Sequence, residues 1–145
     1  MSQLPILPPL TALILFAVWS LLLVISVGAW RVTQLLTGTV PAGGFKPGTP
    51  HGGDTYWRLN RAHMNSAENL PVFGVIVLSG VVLQVQDQLF LMLPTVVIAA
   101  RVLQSLIHIS SGSTFATLFR FSFYLVQVLS MLAMAGCILV TTGVQ

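Results

Sequence analysis

Four stretches of this chain, at about Pro9–Leu36, Arg58–Val85, Leu89–Ile109 and Phe115–Thr142, are each long and apolar enough to cross a bilayer. A spanning helix needs about 20 mostly apolar residues, so four of them nearly consume the 145 residues. No length remains for a soluble domain. No strand-rich region remains to close a barrel, the other structure that satisfies its backbone hydrogen bonds inside lipid. The balance of residues agrees, at 55% hydrophobic and 6% charged, whereas about a quarter of a soluble domain is charged. The expected fold is all-α: one integral membrane domain over residues 1–145, an up-down bundle of four transmembrane helices. The N-terminus has no basic n-region and no small-residue cleavage site, so the first segment is expected to stay as a structural helix.

The few basic residues predict an orientation. Arg31, Lys46, Arg58 and Arg61 flank or occupy the first connection, and Arg120 follows the short turn at Ser110–Thr114. The N-terminal tail, the turn at Gln84–Gln88 and the C-terminus hold no Lys or Arg. The positive-inside rule then puts loop 37–57 and the third connection in the cytoplasm and both termini on the other side. Short tails suit a bacterial inner membrane. Loop one is rich in Gly and Pro and is expected to lack regular structure. It reads as a linker, with a lid over a substrate as the alternative.

Charges inside the bilayer are costly and face the bundle interior, a cavity or a partner. On helix two, Arg58, Arg61, Asn65 and Glu68 are spaced 3, 4 and 3, which gathers them on one face. Glu68 lies about 15 Å along the helix from Arg58, and Arg101 lies about 16 Å from the end of helix three, at 1.5 Å per residue. The two are expected to pair or to share a network. Gln104 and His108 follow Arg101 on the same face, and Tyr124 follows Arg120 by one turn. Several cations converging on one carboxylate would suit an anionic ligand. His63 and Asn69 fall off this stripe, and His63 is expected to make an interhelical hydrogen bond. Asp54 and Asp87 read as solvated loop residues. The single Cys137 reads as a small buried hydrophobe. No metal-ligand spacing and no phosphate-cradling glycine loop occur, and no nucleic-acid partner is expected.

The stretch "RAHMNSAENLPVF" resembles the helix-two signature of the MAPEG family, the membrane-associated proteins in eicosanoid and glutathione metabolism. "HGG" at 51–53, "ARVLQSLIH" at 100–108 and the Arg120–Tyr124 pair resemble further family elements, in order along the chain. The resemblance implies a homotrimer in membrane lipid that binds glutathione between subunits near the cytoplasmic side. It implies that Asn65 and Glu68 hold glutathione, with Glu68 at its ammonium group. Arg31 and Arg61 would help with its carboxylates or with the polar network, and Arg101, with Gln104 and His108 beside it, would belong to the network around Glu68. Arg120 would stabilise the thiolate, and Tyr124 would donate a hydrogen bond nearby. Met64, Gln104 and His108 depart from the wider family pattern and Phe121 from that of its prostaglandin-synthase branch, and together these departures argue against prostaglandin synthesis.

These features lead to a glutathione-dependent transferase or peroxidase acting on lipophilic electrophiles or hydroperoxides. A non-catalytic lipid-binding scaffold of the same fold is the alternative. A small four-helix transporter with Glu68 as coupling carboxylate is disfavoured, because the terminal-side half of every helix is nearly all apolar and offers no wet path.

Overall fold

The computed structural model describes residues 7–41, 43–46 and 53–143. His51 and Gly52 of the "HGG" element lie outside the described residues. Four helices follow one another: α1 (Pro9–Leu36), α2 (Asp54–Val82), α3 (Gln88–Ser110) and α4 (Thr114–Thr141). All four are long and apolar enough to span a membrane. Even the shortest, α3 at 23 residues, is about 34 Å long at 1.5 Å per residue, against a hydrocarbon core of about 30 Å. No strand occurs among the described residues.

Several helix ends follow from local chemistry. Pro9 opens α1, where its missing N–H costs nothing. The Asp87 side chain caps α3 by accepting from the Leu89 and Phe90 N–H groups at 2.9 and 3.1 Å, so Asp87 is a cap and not merely a solvated loop residue. The Ser113 hydroxyl accepts from Ala116 N–H and caps α4. After α2 the chain turns through Gln84 at φ 54, and Val85 N–H donates back to the Gly80 carbonyl, a left-handed helix ending.

Helix α2 begins at Asp54, four residues before the expected start at Arg58. Asp54 therefore sits in the first turn of a helix, where a carboxylate favours the positive end of the backbone dipole. Hydropathy marks the part of a helix that lies in lipid, and α2 continues past it.

In section the bundle is a rhombus. Helices α2 and α3 form the short diagonal, each touching all the others, while α1 and α4 occupy opposite corners and do not meet among the described residues. One end of the bundle, here the basic end, carries loop one and the α3–α4 turn. The other, the terminal end, carries both chain termini and the α2–α3 turn.

The apolar core fills the terminal-end half. Phe16, Phe73, Val77, Phe90, Val97 and Met134 are its buried centre. The Phe16 and Phe73 rings lie 5.3 Å apart. Gly80 lets the Phe90 ring approach so closely that a Cβ there would fall 2.0 Å from Phe90 Cζ. In the basic-end half buried polar residues, Ser66, Arg101, Gln104, Ser105 and Gln127, join apolar ones such as Leu23, Val27, Tyr56, Ala62 and Ala116.

Candidate functional site

A cavity of about 330 Å³ opens in the basic-end half, walled by α2, α3 and α4. That volume is at the lower end of the range of small-molecule sites. Helix α2 contributes Asn65, Glu68 and Asn69; α3 contributes Gln104 and His108; α4 contributes Thr117, Arg120, Phe121 and Tyr124. Six residues expected from the sequence thus share one wall: Asn65, Glu68, Gln104, His108, Arg120 and Tyr124. Asn69 joins them, although it had been set off the stripe. It lies one turn beyond Asn65, so the 4-residue spacing was signal enough.

The cavity holds one carboxylate, Glu68, and one guanidinium, Arg120. Arg120 Nη2 donates to Thr117 Oγ1 at 2.8 Å. Its backbone carbonyl accepts from Gln104 Nε2 at 3.1 Å. The Gln104 side-chain oxygen accepts in turn from Arg101 Nη1 at 2.9 Å and Gln127 Nε2 at 3.1 Å. Gln104 is therefore spent on the seam between α3 and α4, and little of its bonding capacity faces a ligand. Gln127, fully buried, went unnoticed in the sequence, although it follows Arg120 by 7 residues and so shares its face.

Arg101 lies behind that wall, 1% exposed, with its guanidinium 5.4 Å from the centroid of the Phe16 ring. Among the described residues Arg101 and Glu68 form no ion pair. Arg101 Nε and Nη2 have no partner there. The shared network exists only through Gln104, which Arg101 holds and which faces the same cavity as Glu68. Depth matching put the two charges at one level, but it does not say which way each side chain leaves its helix.

Two of the other cations, Arg31 and Arg58, are committed elsewhere. Arg31 Nε donates to Tyr56 Oη at 2.7 Å and lies 5.6 Å from the Phe45 ring centroid. Tyr56 stacks on Trp30 at 5.8 Å. Arg58 Nε donates to the Ile109 carbonyl at 3.2 Å and Nη2 to Thr55 Oγ1 at 3.1 Å, closing the last turn of α3. Arg61 is exposed on α2. Within one chain, then, the expected convergence of several cations on Glu68 is not found. Neither Arg58 nor Arg61 lines the cavity. His63 Nδ1 is buried and makes no hydrogen bond among the described residues, so the interhelical bond expected of this side chain is not made at that atom. Among those residues no group of His, Cys, Asp and Glu assembles that would hold a metal ion.

The sequence matches one family model, that of the MAPEG family, over residues 9–140. The chain belongs to the MAPEG family. It is an integral membrane protein of a family whose functions centre on glutathione and related lipid metabolism. Comparison with curated proteins and with solved structures gives no match.

Proposed function

We propose that this MAPEG protein is a glutathione-dependent membrane transferase or peroxidase acting on lipophilic electrophiles or hydroperoxides. The observation that carries the reading is one cavity in which a guanidinium, a phenol and a carboxylate share a wall at membrane depth. Glutathione supplies the nucleophilic sulfur, and only its thiolate form attacks. Arg120 would favour that anion. Lowering a thiol pKa by about two units takes roughly 2.7 kcal/mol of differential interaction, within reach of a partly desolvated guanidinium. Tyr124, 43% exposed, would donate a hydrogen bond beside it. Glu68 would take the ammonium, with Asn65 and Asn69 at the peptide groups. Phe121, 57% exposed, stands between cavity and lipid, where an apolar substrate would arrive.

The same charge count supports a homotrimer with the site between subunits. Glutathione carries two carboxylates, and one Arg120 facing Glu68 leaves both underpaired. Arg61 and Glu68 are exposed in the single chain, at a depth where lipid would otherwise surround them, which is expensive. A neighbouring copy would cover them, and Arg31 and Arg61 would then complete the anionic end of the ligand. The basic end is read as cytoplasmic, with both termini opposite, by the distribution of Lys and Arg. A scaffold reading draws on a different observation: Arg31 is already bonded to Tyr56.

Titration of the purified protein with glutathione, followed by ultraviolet thiolate absorbance, tests these readings. A stoichiometric signal lost in Arg120→Ala supports the enzyme. Binding without thiolate selects the scaffold, and no binding at millimolar glutathione removes both. Mass measurement in nanodiscs tests the trimer, and a monomer there would remove the intersubunit site.

A further inference from the structure

We propose that Thr117 is a positioning residue for Arg120, and that its hydroxyl fixes where the guanidinium lies in the cavity. The inference rests on the glutathione reading above and assigns a role to a residue outside that reading. Thr117 stands one turn before Arg120 on α4, and both line the cavity. Its Oγ1 lies 3.1 Å from the Ser113 carbonyl and 2.8 Å from Arg120 Nη2. A carbonyl only accepts and a guanidinium only donates. The hydroxyl proton must therefore point at Ser113, which turns the oxygen lone pairs toward Arg120. Ser113 is itself fixed as the cap of α4. The result is a directed chain, Arg120 to Thr117 to Ser113, anchored at a helix end.

Back-bonding to the carbonyl four residues earlier is ordinary for Ser and Thr in helices, and Thr33 and Ser122 do the same. Thr117 differs in also accepting from an arginine of the cavity. Among the described residues it is the sole side-chain partner of that guanidinium. A long arginine stem left loose loses much rotamer freedom when it engages a ligand. Holding it beforehand removes part of that loss. The acceptor is also neutral. A carboxylate at position 117 would hold the arginine equally well but cancel the charge on which thiol ionisation depends. A hydroxyl orients the group, occupies one of its five N–H donors, and leaves its full positive charge to the ligand.

The test measures thiolate absorbance of bound glutathione against pH, together with glutathione affinity, for full-length protein in nanodiscs. Thr117 is exposed in the single chain, so Thr117→Val, Thr117→Ala and Thr117→Ser are suitable variants. The expected result is a midpoint raised by about half a pH unit in Val and Ala, roughly threefold in the ionisation equilibrium. Affinity measured well below the midpoint, where bound glutathione is still the thiol, changes by less than about twofold, and Ser restores the midpoint. An unmoved midpoint in Val and Ala, or a Ser variant shifted as far as they are, overturns the proposal and leaves the glutathione reading standing. If the unmodified protein itself gives no thiolate, the glutathione reading falls first and this inference with it.

Discussion

Arg101 and Arg120 illustrate two ways of housing a charge in a bundle of membrane-length helices. Arg101 sits at the border of the apolar half, sealed against the Phe16 ring with one hydrogen bond to Gln104 and two nitrogens unpartnered among the described residues. Arg120 sits in the polar half, at a cavity wall, bonded to a neutral hydroxyl. The first charge braces packing and is closed to ligand. The second is open to it and keeps its field. Position along the bundle alone does not separate them. What separates them is which neighbours fill the space around the guanidinium.

The comparison breaks most visibly at Phe16, which touches both Phe73 and Arg101. Phe16→Ala is expected to lower stability by about 3–5 kcal/mol, as for other buried aromatic truncations, read by thermal or denaturant unfolding in detergent. Glutathione chemistry in the surviving folded fraction should be nearly intact. Arg120→Ala should do the reverse. Its thiolate signal and turnover fall by roughly a hundredfold or more, the scale for losing a donor aimed at developing charge, while the unfolding midpoint stays close to that of the parent. Gln104→Leu should blur the distinction, because it removes the acceptor of Arg101 and the donor to the Arg120 carbonyl together. A loss of about 1–3 kcal/mol is expected for leaving buried groups unpaired, with a smaller fall in activity beside it. If activity falls as far as in Arg120→Ala, Gln104 touches the ligand and the seam role assigned to it is wrong. Met134→Leu in the apolar half is the mildest case, expected below about 1.5 kcal/mol because it conserves volume, with unchanged turnover.

Hydropathy alone located the four helices, because a bilayer imposes one length and one polarity on whatever crosses it. It did not locate the first turn of α2, since Asp54, Thr55 and Trp57 extend the helix beyond the apolar run. Helical spacing brought Asn65, Glu68, Gln104, His108, Arg120 and Tyr124 to within one cavity wall of each other. It could not tell that Gln104 turns inward to the seam, that Arg58 reaches across to α3, or that Arg31 is taken by Tyr56. Those outcomes depend on interhelical distances, which no periodicity encodes. Thr117 and Gln127 were missed for a different reason. A single hydroxyl or amide among apolar residues looks like tolerated polarity until a donor is found opposite it.

The rhombic section also bears on how the chain is made. Because α1 and α4 never touch among the described residues, α1 has no need to wait for α4 to be made. Helix α1 finds α2 as its hairpin partner, α4 finds α3, and the two hairpins join along the α2–α3 diagonal. Pairing neighbours in sequence keeps contacts local, which speeds folding. Biosynthesis can therefore proceed by two successive hairpin insertions. The polar wall is shared by both hairpins, so the site comes into being only when the second has docked.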